Sequence, residues 1–280
     1  MKKFLLSCLL LMGILYAQAQ SCCSRGNNTD FKLLALNEDF KASHEAPLPL
    51  EYTPAANSAM ISFETKDGKK GNAFYVPSDE PTNKVLIIFH EWWGLNDYIK
   101  REAERWQKML GNIDVYAVDL YDGQVATDAA TAGKLANSLD QKRGENIVNG
   151  LLSKIGNDKM IATLGWCMGG TWSFTGTLLA GKRAAACVMY YGFPEKNDKK
   201  IKTLNCDVLY MRAMRDNYIT KDVVDVFAQK VAATGHKFEL HAYDAVHAFA
   251  NPSNPKYDAP ASKQAEAITQ QFLKTKLQLD

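Results

Sequence analysis

The chain has 280 residues, 33 Lys and Arg against 31 Asp and Glu, and a formal net charge of +2. Charges of both signs are mixed along it and no basic run carries interleaved aromatics, which argues against a nucleic-acid partner. The length suffices for a substantial core.

The first segment reads as a leader. Lys2 and Lys3 precede an apolar stretch from Phe4 to Tyr16, and Ala17 and Ala19 fit a small-residue cleavage site. Residues 1–19 are therefore expected to be a secretory signal peptide, which places the mature protein in a periplasm or outside the cell. The stretch is shorter than the ~20 residues of a membrane span. Membrane attachment is expected only through lipid. Cys8 ends "LLSC" with too little apolar sequence before it, and Cys22 and Cys23 follow the cleavage site without a good lipidation box. Loss of Cys8 turns an even cysteine set into an odd one, so at least one thiol stays unpaired or pairs between chains. Residues 20–57 are polar and then proline-rich. They read as a surface arm with a short helix around Asp39–Ser43, and His44 belongs to it.

From 58 to 280 the pattern alternates. Strands are predicted at 59–65, 71–77, 84–90, 114–120, 160–166, 185–191, 207–213 and 238–243. Helical spacing occupies 97–110, 127–154, 169–181, 221–234 and 261–277. "KDGKKG" joins the first two strands as a hairpin. The later strands are short and apolar, and most are separated by helices. This predicts one α/β domain, a mainly parallel twisted sheet with helices on both faces. Cys187 and Cys206 fall in apolar strands and read as core.

The strand at 160–166 runs into "LGWCMGG", and a helix follows. Glycines two positions to either side of Cys167 fit a turn too sharp for side chains, the nucleophile-elbow pattern with Cys in the usual Ser position. The helix N-terminus beyond is expected to favour thiolate and lower the thiol pKa. The bland alternative is a buried cysteine in a glycine-rich turn. Two later residues weigh against it. Asp216 and His247 each follow a strand, in the chain order nucleophile, acid, base of the α/β-hydrolase fold. Both are expected at the carboxyl edge of the sheet, where open α/β sheets bind ligands.

Other candidates fit less well. Asp207 starts its strand, at the wrong edge. Asp244 competes with Asp216 for the acid role. His241 lies inside a strand, and His236 and His44 read as structural or exposed. Glu91 follows the third strand in "FHEWWGLND", at the nucleophile's edge, where it can take or hold the thiol proton. The metal pattern H-E-x-x-H is not met, because His90-Glu91 has no second histidine. Backbone N–H groups of Trp92 and Met168 are assigned to an oxyanion hole. His90 reads as a hydrogen-bonded support. Trp92 and Trp93 either line an apolar pocket or pack, and Tyr121, Tyr191 and Phe249 are placed as further substrate-lining residues.

Together "HEWWGLND", "AVDLYDGQ", "GWCMGG", "MYYG", Asp216 and "HAFAN" resemble the dienelactone hydrolase family, a cysteine branch of the α/β-hydrolases, over about residues 58–280. The resemblance implies Cys167 as nucleophile, His247 as base, Asp216 as its orienting acid and Glu91 as the carboxylate that controls the thiol. It implies no metal and no organic cofactor. Dienelactone-cleaving members hold the substrate carboxylate with two arginines, where this chain has Gly123 and Asn251. Neither can supply a bidentate charged contact, and Arg215 is the one nearby substitute weighed. A neutral ester or lactone is the expected substrate, the protein is expected to act as a monomer, and dienelactone itself is disfavoured. The competing reading is a non-catalytic binding or interaction protein on a hydrolase scaffold; fast, pH-dependent alkylation of Cys167 would speak against it. Redox work by Cys167 finds no support in a nearby C-x-x-C.

Overall fold

The computed structural model describes residues 27–280. The leader with Cys8, and both Cys22 and Cys23, lie outside the described residues. Eight strands form one sheet: β1 (Ala59–Glu64), β2 (Lys70–Val76), β3 (Lys84–Phe89), β4 (Asp114–Asp119), β5 (Met160–Trp166), β6 (Ala184–Tyr190), β7 (Asp207–Ala213) and β8 (Phe238–Tyr243), in the order β1-β2-β4-β3-β5-β6-β7-β8. β1 and β2 are antiparallel to their neighbours and all remaining pairings are parallel. The inner strands, such as "KVLIIF" in β3, are apolar throughout because both of their faces are covered. The edge strands β1 and β8 keep most of their side chains partly or fully exposed.

Helices cover both faces. α3 (Asp97–Leu110) and α9 (Ala259–Leu277) contact each other on one face. On the other lie α5 (Gln141–Ile155) and α6 (Met168–Ala180), which contact each other and the sheet. α3 shows why such a segment is helical. Ile99, Ala103, Trp106 and Leu110 recur on one face and are buried, Asn96 caps the first turn, and Gly111 at φ 84° ends it. The helical pattern predicted over 127–154 is in fact two helices, α4 (Ala129–Ser138) and α5. The break falls at Leu139, and Asp140 restarts the helix by accepting the Arg143 N–H at 2.8 Å. α8 (Lys221–Ala232) lies between β7 and β8, and α7 (Asp198–Ile201) is a single turn before β7.

The N-terminal segment differs from the surface arm expected of it. α1 (Asn27–Ala35) and α2 (Glu38–Ala42) run over the carboxyl edge of the sheet, with Phe31, Ala35, Phe40 and His44 buried. The physical reason is their aromatic content. Phe40 sets its ring edge-on to Trp92 at 5.1 Å and to Tyr218 at 5.2 Å, and Phe31 meets Phe40 at 6.1 Å.

At the centre of the fold, backbone approaches backbone without side chains between. A Cβ on Gly165 would fall 2.0 Å from the Gly169 carbonyl oxygen, and one on Gly169 would fall 2.2 Å from that of Phe89. Neither neighbour is a flexible side chain that could move away. Gly169→Ala is expected to cost about 3 kcal/mol or more. That corresponds to a melting point roughly 6–12 °C lower, read by calorimetry. A melting point within 2 °C of the parent's would contradict this packing.

Candidate active site

β5 ends at Trp166 and α6 begins at Met168, so the chain must turn within one residue. Cys167 makes that turn at φ 54° and ψ −120°. This conformation is costly for a residue with a side chain and persists only where the surroundings enforce it. Here the Cys167 N–H donates to the Tyr190 carbonyl at 3.0 Å, and the glycine contacts close the other side. The turn aims the sulfur at the loop that follows β8. His247 Nε2 lies 3.2 Å from Cys167 Sγ, and His247 Nδ1–H donates to Asp216 Oδ2 at 2.6 Å. Asp216 Oδ1 accepts the N–H groups of Tyr218 at 2.8 Å and Ile219 at 3.1 Å, which fixes the carboxylate in its loop after β7. Three residues from three separate strand ends thus form one continuous line of contacts, and all are buried.

Glu91 is buried on the loop after β3. Asn251 Nδ2 donates to Glu91 Oε2, while Glu91 Oε1 has no partner among the described residues. The Asn251 amide has one orientation, because its Oδ1 accepts from Ser253 N–H at 2.8 Å and Ser253 Oγ–H at 2.7 Å. His90 anchors the same loop. Its Nδ1–H donates to the Glu91 carbonyl at 2.6 Å and its Nε2 accepts the Leu120 N–H at 3.1 Å. The Trp92 N–H makes no hydrogen bond among the described residues. Met168 opens α6 directly after Cys167, and Trp92 follows Glu91 on the loop after β3.

The electrostatics correct one expectation. The helix terminus was expected to lower the thiol pKa, but burial pushes Cys167 upward and the Glu91 charge adds to this, against the lowering pull of His247. Burial thus works against the sulfur anion at this position. Burial also pushes Glu91 up, to about 7, against the opposing effects of His247 and the Asn251 hydrogen bond. Burial alone would lower His247, but Asp216 and then Cys167 hold its imidazole well above the ordinary range. Asp216 is lowered, because His247 and the two N–H donors outweigh the effect of burial.

The competing residues fall elsewhere. Asp244 is exposed and pairs with Arg215 Nε at 3.1 Å, which also occupies the one arginine weighed as an anion contact. His241 pairs with Glu239 at 2.8 Å and His236 lies near Asp207. Gly123 is in an exposed turn at φ 90°. The arginine near that turn, Arg143, is already shared among Asp122, Asp67, Thr65 and the Lys70 carbonyl. Cys187 and Cys206 are buried free thiols. Of the residues placed as substrate-lining, Tyr191 meets His247 at 5.1 Å between ring centres. Phe249 packs behind it at 5.4 Å, Trp93 reaches the site through Trp92, and Tyr121 O–H donates to Met168 Sδ at 3.2 Å.

Two participants were not singled out from sequence. In the sequence Asn251 stands only where an arginine is expected, and its hold on Glu91 has no sequence signal. His44 reads from sequence as structural or exposed, yet its ring lies 5.6 Å from that of His247 and 5.1 Å from that of Trp92. Among the described residues, no three His, Cys, Asp or Glu side chains are grouped as a metal ion would require, and no helix is long and apolar enough to cross a membrane.

The chain is similar to known proteins in sequence and in fold. A carboxymethylenebutenolidase of Pseudomonas sp. (strain P51) is 29% identical over 228 residues, covering 76% of this chain and 94% of that one. The crystal structure of a dienelactone hydrolase-like promiscuous phosphotriesterase from metagenomic libraries superposes with a TM-score of 0.66 at 17% identity, covering 80% of this chain and 100% of the other. Carboxyl esterase 2 from the mycorrhizal fungus Tuber melanosporum superposes with a TM-score of 0.61 at 16% identity, covering 84% and 91%. These likenesses show the α/β-hydrolase fold. The model of the dienelactone hydrolase family matches residues 72–277, and the chain belongs to that family.

Proposed function

We propose that the protein hydrolyses a small neutral ester or lactone through Cys167, His247 and Asp216, by way of a thioester. The observation that carries this reading is the unbroken contact line from Asp216 Oδ2 through His247 to Cys167 Sγ, at 2.6 and 3.2 Å. The esterase and carboxymethylenebutenolidase names of its relatives support the same reaction class.

In this reading the resting thiol is not yet a nucleophile, and Glu91 is the base that activates it. Glu91 takes the thiol proton, and the thiolate attacks the carbonyl carbon. The developing oxyanion is received by the N–H groups of Met168 and Trp92. The C–O bond breaks as protonated His247 delivers its proton to the leaving alkoxide. Neutral His247 then takes a proton from water, whose oxygen attacks the thioester. Collapse releases the acid and returns sulfur, which recovers its proton from Glu91. Asp216 holds the imidazole in the tautomer that both halves need. Dienelactone itself is disfavoured. Gly123 offers no side chain, and the Asn251 amide is committed to Glu91 and Ser253. The lysine-led apolar run at the N-terminus supports export of the mature protein, where it would meet such substrates.

Cys167→Ala is expected to lower kcat/KM on short aryl esters and lactones by about 10⁴-fold or more. Turnover equal to the parent's would end the reading.

Glu91 gives two pH signatures. Ionisation near pH 7 should produce a rising limb in kcat/KM, and Glu91→Gln should abolish that limb. The same group costs stability. Its folded pKa is raised from 4.5 to about 7, so its favourable contribution is full below pH 4.5 and is lost as pH rises through 7. Glu91→Gln should therefore gain on the parent by about 2.5 kcal/mol between pH 5 and pH 8 in denaturant melts. A constant difference across that range would show that the carboxylate ionises normally.

A further inference from the structure

The match to the family begins at residue 72, so α1 and α2 lie outside it. They nevertheless form the roof of the site. The Ala35 carbonyl sits where Gly133 of α4 has no side chain, since a Cβ there would lie 2.7 Å from that oxygen. Phe31 meets Phe193, and Phe40 crosses to Trp92, Tyr218 and His247. Beyond the site the strap is tied to the 251–256 loop by two long bonds, Lys256 Nζ to the Ser43 carbonyl and Leu48 N–H to the Ser253 carbonyl, each 3.3 Å. The nucleophile beneath is only 2% exposed.

The strap carries one polar group whose hydrogen bonding is incomplete. His44 is 7% exposed. Its Nδ1–H donates to the Phe40 carbonyl at 2.7 Å, with Ser43 Oγ 3.1 Å away. That bond fixes the tautomer and leaves Nε2 as an acceptor. Nε2 is buried and has no partner among the described residues. Protonation does not resolve this, because burial and then the neighbouring His247 hold the ring neutral, with its pKa down at about 3. A buried acceptor without a donor is costly, and such a group beside reacting atoms calls for a donor that arrives with the ligand. A carboxylate cannot supply one and would meet the lone pair with repulsion, whereas a hydroxyl can.

We propose that His44 is a specificity-determining residue whose Nε2 accepts a hydrogen bond from a hydroxyl on the substrate, within two carbons of the ester or on the leaving alcohol. The protein is then an esterase for hydroxylated small esters, and the strap is one wall of its substrate site. This inference rests on the ester-cleaving reading above.

The test compares matched esters: methyl lactate with methyl propionate, methyl 3-hydroxybutyrate with methyl butyrate, and 2-hydroxyethyl butyrate with propyl butyrate. In the parent, kcat/KM should favour the hydroxylated member of at least one pair by about tenfold or more. The ratio should fall to near one in His44→Phe, which keeps a ring and removes the acceptor. It should return in His44→Gln, whose amide restores one. Each ratio is taken within one preparation, so a partly unfolded variant does not distort it. Ratios near one in the parent for all three pairs, or a ratio unchanged in His44→Phe, would overturn the inference. If that happens while Cys167→Ala remains inactive, this inference alone falls. If Cys167→Ala keeps full turnover, the hydrolase reading falls and takes this one with it.

Discussion

The site depends on one steric constraint: the chain must reverse between β5 and α6 within a single residue. That reversal holds only because Gly165, Gly169 and Phe89 bring bare backbone together, with oxygen atoms where side chains would otherwise stand. It forces Cys167 into a positive φ and pushes its sulfur out of the sheet toward the loops. Everything chemical follows from where the sulfur points. His247 meets it from the loop after β8, Asp216 supports His247 from the loop after β7, and Glu91 comes from the loop after β3. Adjacent parallel strands end at one edge, so residues far apart in sequence converge without any one loop being long.

Burial then sets the chemistry at rest. A sulfur anion in a closed, poorly solvated site is unfavourable, and a nearby carboxylate makes it more so. The helix terminus and the imidazole act in the opposite direction and do not prevail. The same burial raises the affinity of the Glu91 carboxylate for protons. Exclusion of water thus works on both partners at once. It disfavours the sulfur anion and the carboxylate anion alike.

Much of this was readable from the residues. Local patterns placed all eight strands, because apolar runs bounded by turns carry their own signal. The glycines around Cys167 revealed the turn, and the order of Asp216 and His247 placed them at one edge. What escaped was set by tertiary contact. The break at Leu139 interrupts an otherwise continuous helical pattern, and only the cap by Asp140 marks it. Asn251 looked like a lost arginine until its amide was seen to hold Glu91. The segment around Phe40 and His44 is short, polar in its surroundings and followed by prolines, so nothing local says that its two rings belong in the core. The thiol's protonation state escaped for the same reason, since desolvation is a property of the assembled site.

The strap also has a consequence for the order of assembly. Its seat is made of Trp92, α4, Tyr218 and His247, and its tie at Ser43 reaches Lys256, 213 positions along the chain. The earliest of the described residues to be synthesised are thus among the last to find their partners, because the surface they cover does not exist until the final strands have joined the sheet. Before that moment the thiol, imidazole and carboxylates are already in register but uncovered. Cover over Cys167, His247 and Asp216 is therefore completed by docking a preceding peptide onto a finished scaffold.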